Sequence, residues 1–187
     1  MFVSVPASLG DFGRNVSSVA VAESVDLFPT LAELAGIESK VTQELAGESL
    51  VPLLRTTPGS LNKTFALSQW PRRPSCVDHH GCEDGHGDPS AMQPDAAVMG
   101  YTYRTAEWRY GAWFPYDWAA TAPDFSKILA RELYSHNGDT GSAADAELYE
   151  NVNLASDPSH AATVGSLHAL LVTAVTANLR QPIPSTQ

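Results

Sequence analysis

The stretch Val98-Met-Gly-Tyr-Thr-Tyr-Arg-Thr-Ala-Glu-Trp-Arg-Tyr-Gly-Ala-Trp-Phe114 limits what this chain can fold into more than any other. Val98 to Arg104 and Trp108 to Phe114 are rich in aromatic and β-branched residues, which suit a pleated, half-buried surface. They predict two short strands joined by a tight turn at Thr105-Ala106-Glu107. Side chains alternate along a strand, so Tyr101 and Tyr103 share one face, with Gly100, Thr102 and Arg104 on the other. On the return strand, Trp108, Tyr110 and Ala112 alternate with Arg109, Gly111 and Trp113. A hairpin alone is marginal in water. This one requires further strands beside it and a helix over one face.

The rest of the chain has the material for both. Its 187 residues suffice for one domain with a core, and 43% are apolar. Thirteen Gly and 13 Pro predict many loops, and a formal charge of -10 argues against a nonspecific nucleic-acid binder or a basic membrane-surface binder. A few local arginines still suffice to hold an anionic substrate. No uninterrupted run of about 18 apolar residues occurs, so no transmembrane helix is expected. Met1-Phe-Val-Ser-Val-Pro6 lacks the charged start and apolar middle of a signal peptide. It reads as a buried strand (Phe2, Val3, Val5) that begins abruptly, as in a truncated chain. Two sequons, at Asn15 and Asn62, permit glycosylation in a secretory compartment, although so short a pattern also arises by chance.

Ser24 to Gly36 is the clearest helix of the first half. Val25, Phe28, Leu31 and Leu34 recur at helical spacing, and Gly36 suits the position just past the end. With Asp26 as the N-cap, Pro29 falls in the first turn, where its missing N–H is not needed. Gly47 to Leu54 reads as a helical turn. Phe65 to Trp70 reads as a strand stopped by Pro71. Arg72 to Asp95 is a long polar segment without periodicity. After the hairpin come a loop over Pro115 to Ala122, a helical turn over Asp124 to Ala130 and a fourth strand, Arg131 to Tyr134. A turn-rich insertion, His136 to Ala144, follows. Asp157-Pro158 opens the last helix as N-cap and N1, with Val164, Leu167, Leu170, Leu171, Ala174 and Val175 as its buried stripe. The fold class expected is α+β: a small antiparallel sheet of about four strands with helices packed on one face.

Several segments, in order, resemble one family. Val25-Asp-Leu-Phe-Pro-Thr-Leu31 with Ala35-Gly36, and then Gly47-Glu-Ser-Leu-Val-Pro-Leu-Leu54, look like consecutive segments of the sulfatases. Ser68-Gln-Trp-Pro-Arg72, Met99-Gly-Tyr-Thr-Tyr-Arg-Thr105, Glu132-Leu-Tyr134 and Glu150-Asn-Val-Asn-Leu-Ala155 are similar to the iduronate-2-sulfatase branch. The resemblance runs from about residue 19 to residue 180 and rests on number and order rather than on any single piece. It implies a single C-terminal subdomain of the alkaline-phosphatase-like fold over residues 1–180. Residues 1–22 would end a main-domain strand and loop, 72–96 would be a long loop, and 181–187 a tail.

The same resemblance implies what this chain lacks. Sulfatases use a formylglycine made from the Cys or Ser of a C/S-x-P-x-R motif, and a calcium ion. No such motif occurs here: Ser68-Gln-Trp-Pro-Arg72 has Pro directly beside Arg, and Arg72-Arg-Pro-Ser-Cys76 runs in the reverse order. Sulfate-ester cleavage needs an activated nucleophile and a cation. The chain alone is therefore expected to be inactive, to hold no cofactor of its own, and to partner an N-terminal catalytic domain that acts on a sulfated sugar. A secreted or lysosomal-type compartment is implied for the whole protein.

Arg72 and Arg104 are the substrate-binding candidates, because a guanidinium fork suits sulfate and carboxylate. Each would serve equally to pair with a carboxylate of the catalytic domain. Trp70 and Trp108 would line a sugar site or belong to the core. Cys76-Val-Asp-His-His-Gly-Cys82 with His86 allows a disulfide closing a small loop, two thiols, or a metal site; the usual zinc-ligand pairs are missing. Besides the sulfatase fragment, a carbohydrate-binding module without chemistry and a zinc-dependent interaction module stand as alternatives.

Overall fold

Tyr101 and Tyr103 on one strand and Trp108, Tyr110 and Phe114 on the next fall on one face of the sheet, as the alternation predicts. The computed structural model describes residues 3–13, 18–72, 98–140 and 148–179. Five strands are described: β1 (Ala66–Arg72), β2 (Val98–Arg104), β3 (Trp108–Asp117), β4 (Ala122–Pro123) and β5 (Ala130–Ser135). The spatial order is β1-β2-β3, and the far side of β3 is shared by β5 and β4. Both of those pairings are antiparallel, with Tyr110 opposite Leu133 in one and Tyr116 opposite Pro123 in the other. The helices are α1 (Leu27–Leu34), α2 (Val51–Leu54) and α3 (Ala161–Leu179). The α+β class is as expected.

These elements form two compact units, one of Met1–Ala66, Arg104–Glu107 and His136–Glu150, the other of Leu67–Tyr103, Trp108–Ser135 and Asn151–Gln187. In the second unit α3 covers one face of the sheet. Tyr101, Tyr103, Tyr110, Ala112 and Phe114 are buried on that face together with Leu133 of β5. From α3, Val164, Leu167, Leu171 and Val175 are buried. Phe125 meets Phe114 edge-on at 5.1 Å. The Tyr110 hydroxyl lies 3.1 Å from His168 Nδ1, so the one polar ring on the inner side of α3 is partnered. Full burial of a residue such as Phe114 or Leu171 contributes about 1.5–3 kcal/mol.

Asp157 caps as expected, its carboxylate accepting the Ser159 N–H at 2.8 Å, with Pro158 at the first position. Leu170 departs from the predicted stripe and is exposed. Contrary to expectation, the 22 residues Pro158–Leu179 are long and apolar enough, by length and composition, to cross a bilayer. Val164, Leu167, Leu171 and Val175 of this segment are buried, while Leu170 and Leu179 are exposed.

Several boundaries differ from expectation. Pro71 does not stop β1, which runs on to Arg72. Among the described strands β1 is the outermost, where a proline can be held without loss of a ladder bond when its N–H side faces away from the neighbour. Likewise β3 continues through Pro115 to Asp117 rather than giving way to a loop. Asp124 to Ala130 is not helical. Its Asp124 carboxylate accepts the N–H and hydroxyl of Ser126, a local turn that competes with helix, and the chain then enters β5. Val3 and Val5 lie in no strand. Phe2 and the tail 181–187 fall outside the described residues.

The first unit is organised around α1. A 3-10 turn, Ser24–Asp26, leads into it, and Gly36 ends it at φ +66°, the left-handed conformation that glycine adopts without strain. The residues that recur at helical spacing are not the ones that α1 buries. Thr30 and Ala32 are buried, while Val25, Phe28 and Leu31 are 48%, 51% and 64% exposed. Thr30 donates to the Asp26 carbonyl at 2.6 Å and accepts the Leu50 N–H at 2.9 Å, tying α1 to the segment before α2. Gly47 lies so close that a Cβ there would meet the Val25 carbonyl oxygen at 2.1 Å.

Candidate functional site

The polar groups of the first unit converge on Asp26, which is completely buried. It does not cap α1 as expected. Its carboxylate instead accepts the N–H of Glu23 at 2.7 Å and of Glu48 at 2.9 Å, and the Lys63 ammonium at 2.6 Å. Lys63 also reaches Glu23 at 2.5 Å. Burial pushes the Asp26 carboxyl up, but the hydrogen bonds from Lys63 and the two backbone N–H groups outweigh it and hold the group below its usual 3.8. Burial likewise pushes Lys63 down, while its bonds to Asp26 and Glu23 raise it above 10.5. Among the described residues no buried side-chain polar atom of this cluster is left without a partner. Asn62, the described sequon residue, is exposed and gives its backbone N–H and its amide to Glu48.

Arg104 lies at the rim of a cavity of about 270 Å³ formed by Ser18–Ala22, Ala66, Ala106 and Asp139. It faces Asp139 at 3.5 Å and donates to the Thr105 carbonyl. Asp139 in turn meets His136 Nδ1 at 2.8 Å, and His136 Nε2 lies 2.9 Å from Glu150. The imidazole stacks on Tyr149 at 5.5 Å. Arg104 thus has a carboxylate partner from its own chain, and the cavity wall is a tied network.

Arg72 and Trp70 share the other face of the sheet, away from α3. Trp70 on edge strand β1 is 63% exposed. The Arg72 guanidinium lies over the Trp113 ring at 5.4 Å. Trp113 rests flat against Gly100, where a Cβ would fall 2.6 Å from the indole. Arg109 lies over Tyr134 at 4.8 Å and approaches Glu132 at 3.9 Å. Between Trp70, Trp113 and Glu132 the two glycines, Gly100 and Gly111, leave a hollow of about 70 Å³. Trp108 is elsewhere, edge-on to His160 at 5.5 Å.

The structure therefore brings Trp70 together with Arg72 and leaves Arg104 at a different cavity. Reading the sequence missed Trp113, Arg109 and the His136 network. The Gly100–Trp113 contact had a signal, since Gly within an aromatic strand marks a close approach. His136 had none, because its partners are 3 and 14 residues away in irregular chain. Cys76, Cys82, His79, His80, His86 and Asn15 lie outside the described residues. Among the described residues no group of three or more His, Cys, Asp or Glu is arranged to hold a metal.

Comparison with known proteins bears on what this arrangement serves. The chain is 32% identical over 139 aligned residues to iduronate 2-sulfatase of Homo sapiens, an alignment covering 65% of this chain and 24% of that protein. With iduronate 2-sulfatase of Mus musculus it shares 29% identity over 177 residues, covering 86% of this chain and 28% of the relative. A solved 2-O GAG sulfatase has a similar fold, with a TM-score of 0.51 at 24% identity over 83% of this chain and 25% of its own. No family model matches the chain. The chain spans about a quarter of the length of the curated relatives it matches.

Proposed function

This chain belongs to the sulfatases of the alkaline-phosphatase-like superfamily, matched in their C-terminal region, and from that premise we propose that it is the C-terminal subdomain of a sulfuric ester hydrolase acting on a sulfated sugar, iduronate-2-sulfatase-like in substrate. The formylglycine nucleophile and the calcium ion belong to a catalytic domain that this chain partners, so the chain alone is inactive. The complete enzyme works in a secreted or lysosomal-type compartment. Trp70 and Arg72 contribute to sugar contact. Arg104, already engaged with Asp139, positions the loops around its cavity and borders the substrate pocket.

The observation that carries this reading is the apolar stripe of α1. Leu27, Phe28 and Leu31 of α1 and Val25 of the turn before it stand exposed, beside the buried Asp26 and its partner Lys63. A contiguous apolar patch beside a rigid polar anchor is a surface made to be covered, and the catalytic domain is the occupant that the family match supports. The test is turnover of a fluorogenic iduronate 2-sulfate. The chain alone should give none. Co-expressed with the catalytic portion of an iduronate 2-sulfatase it should give activity, and Phe28→Asp with Leu31→Asp should abolish it. Turnover by the chain alone would overturn the proposal, as would pairing indifferent to those two changes.

A further inference from the structure

β1 and β5 lie toward opposite ends of the sheet and are finished differently. We propose that β1 is an interface between two copies of this chain. Its outer edge pairs antiparallel with the same strand of a second copy, about a two-fold axis at Gln69. The proposal stands on the sheet of the second unit and does not depend on the reading above.

β5 shows what a closed edge is. The Leu133 N–H donates to the Asn153 side-chain oxygen at 3.0 Å, and the Asn153 amide donates to the Arg131 carbonyl at 3.2 Å. The Leu154 N–H reaches the Leu133 carbonyl at 2.8 Å. Backbone groups of β5 that β3 does not take are thus taken by the segment at Asn153 and Leu154. β5 also carries Arg131 and Glu132, and charge on a strand discourages edge pairing.

β1 has neither guard. Among the described strands it is the outermost, bonded to β2 on one side. Among the described residues the Ser68 and Trp70 backbone groups meet no partner outside the sheet. Leu67 to Pro71 contains no charged residue. A strand edge of this kind is a template for another strand.

Charge selects the occupant. Two copies of a chain of formal charge -10 repel each other, so they can meet only where charge is missing, and β1 is such a place. The strand is also complementary to itself. With the axis at Gln69, Ser68 of each copy stands opposite Trp70 of the other. Trp70, 63% exposed, then lies diagonal to Trp70 of the second copy, a spacing that aromatic rings bridge. Arg72, the one charge on β1, falls outside these central pairs, so like charges are not brought face to face. Pairing runs along the edge and leaves the open face of the sheet uncovered, so it is compatible with the sugar contact proposed for Trp70 and Arg72. One ladder and one indole pair make a small interface, with a Kd on the order of 10–100 μM.

The experiment is sedimentation equilibrium of the 187-residue chain at concentrations spanning that Kd. A monomer–dimer equilibrium is expected. Gln69→Lys and Gln69→Glu each put like charges opposite one another at the axis, and each should weaken the dimer about tenfold or more. Gln69 is exposed, so neither change should move the thermal midpoint. An equimolar mixture of the two variants should associate again, because Lys then faces Glu. Phe28→Asp with Leu31→Asp should leave the dimer intact. A chain monomeric at every concentration would overturn the proposal, as would a dimer indifferent to both Gln69 changes or a mixture no tighter than its components. Loss of the dimer in the Phe28 and Leu31 variant would place self-association on α1 and overturn the assignment to β1.

Discussion

Two helices of this protein, α1 and α3, bury opposite things. α3 puts Val164, Leu167, Leu171 and Val175 inward and leaves most of its polar residues outside. α1 puts Thr30 inward beneath Asp26 and leaves Phe28 and Leu31 outside. Both have apolar residues at helical spacing, so the pattern alone cannot distinguish them. The pattern states that a face will be covered, not by what. α3 finds its cover in its own sheet. α1 is tied down on its other side by Thr30 and the buried Asp26–Lys63 pair and leaves its apolar face exposed.

The largest test of that contrast is a pair of truncations followed by urea unfolding of the whole chain. Leu171→Ala should cost about 2–5 kcal/mol, because Leu171 is completely buried. Leu31→Ala should change stability by no more than about 0.5 kcal/mol. Similar losses at both positions would break the contrast.

Next in size is the charged fastening. Lys63→Met leaves the Asp26 carboxylate buried without its counter-ion and should cost roughly 3 kcal/mol. The pH dependence has a defined sign. Asp26 is held below 3.8 in the folded chain, so the knot's stability is complete above pH 3.8 and is lost as pH falls through the lowered folded value. Lys63 is held above 10.5, so its share is complete below pH 10.5 and is lost as pH rises through the raised value. Asp26→Asn should flatten the acid limb of a plot of unfolding midpoint against pH; an unaltered acid limb would remove Asp26 from the account.

Gly100→Ala sharpens the comparison on the sheet side. The added methyl meets the Trp113 ring at 2.6 Å, so the indole must move. A cost of about 1–3 kcal/mol is expected, with a changed near-ultraviolet dichroism. A spectrum identical to the parent's would show that Trp113 does not rest where described.

The smallest effect concerns the single polar ring under α3. Burial first, and then the charge of Arg131, hold His168 below 6.5. Stability from this ring is complete above pH 6.5 and declines as pH falls through the lowered folded value. His168→Gln should remove that decline, read from thermal midpoints between neutral and mildly acid pH.

Alternation along Val98–Phe114, the Asp157-Pro158 cap of the 3-10 turn that leads into α3, the glycine end of α1 and the fold class were all legible from residue types, because strand period, caps and positive φ are local properties of the chain. Trp70 and Arg72, two apart on one strand, were legible as a pair for the same reason. Tertiary structure alone decided the rest. Pro71 stays within a strand because β1 is the outermost of the described strands, and Pro115 also stays within a strand, β3. Trp113 reaches Gly100 across neighbouring strands. Asp26 caps the turn before α1 rather than α1 itself, and pairs with Lys63, 37 residues away. Which face of α1 is buried follows from that distant ammonium: local spacing sets the period of a pattern, and only partners brought from elsewhere in the chain set its direction.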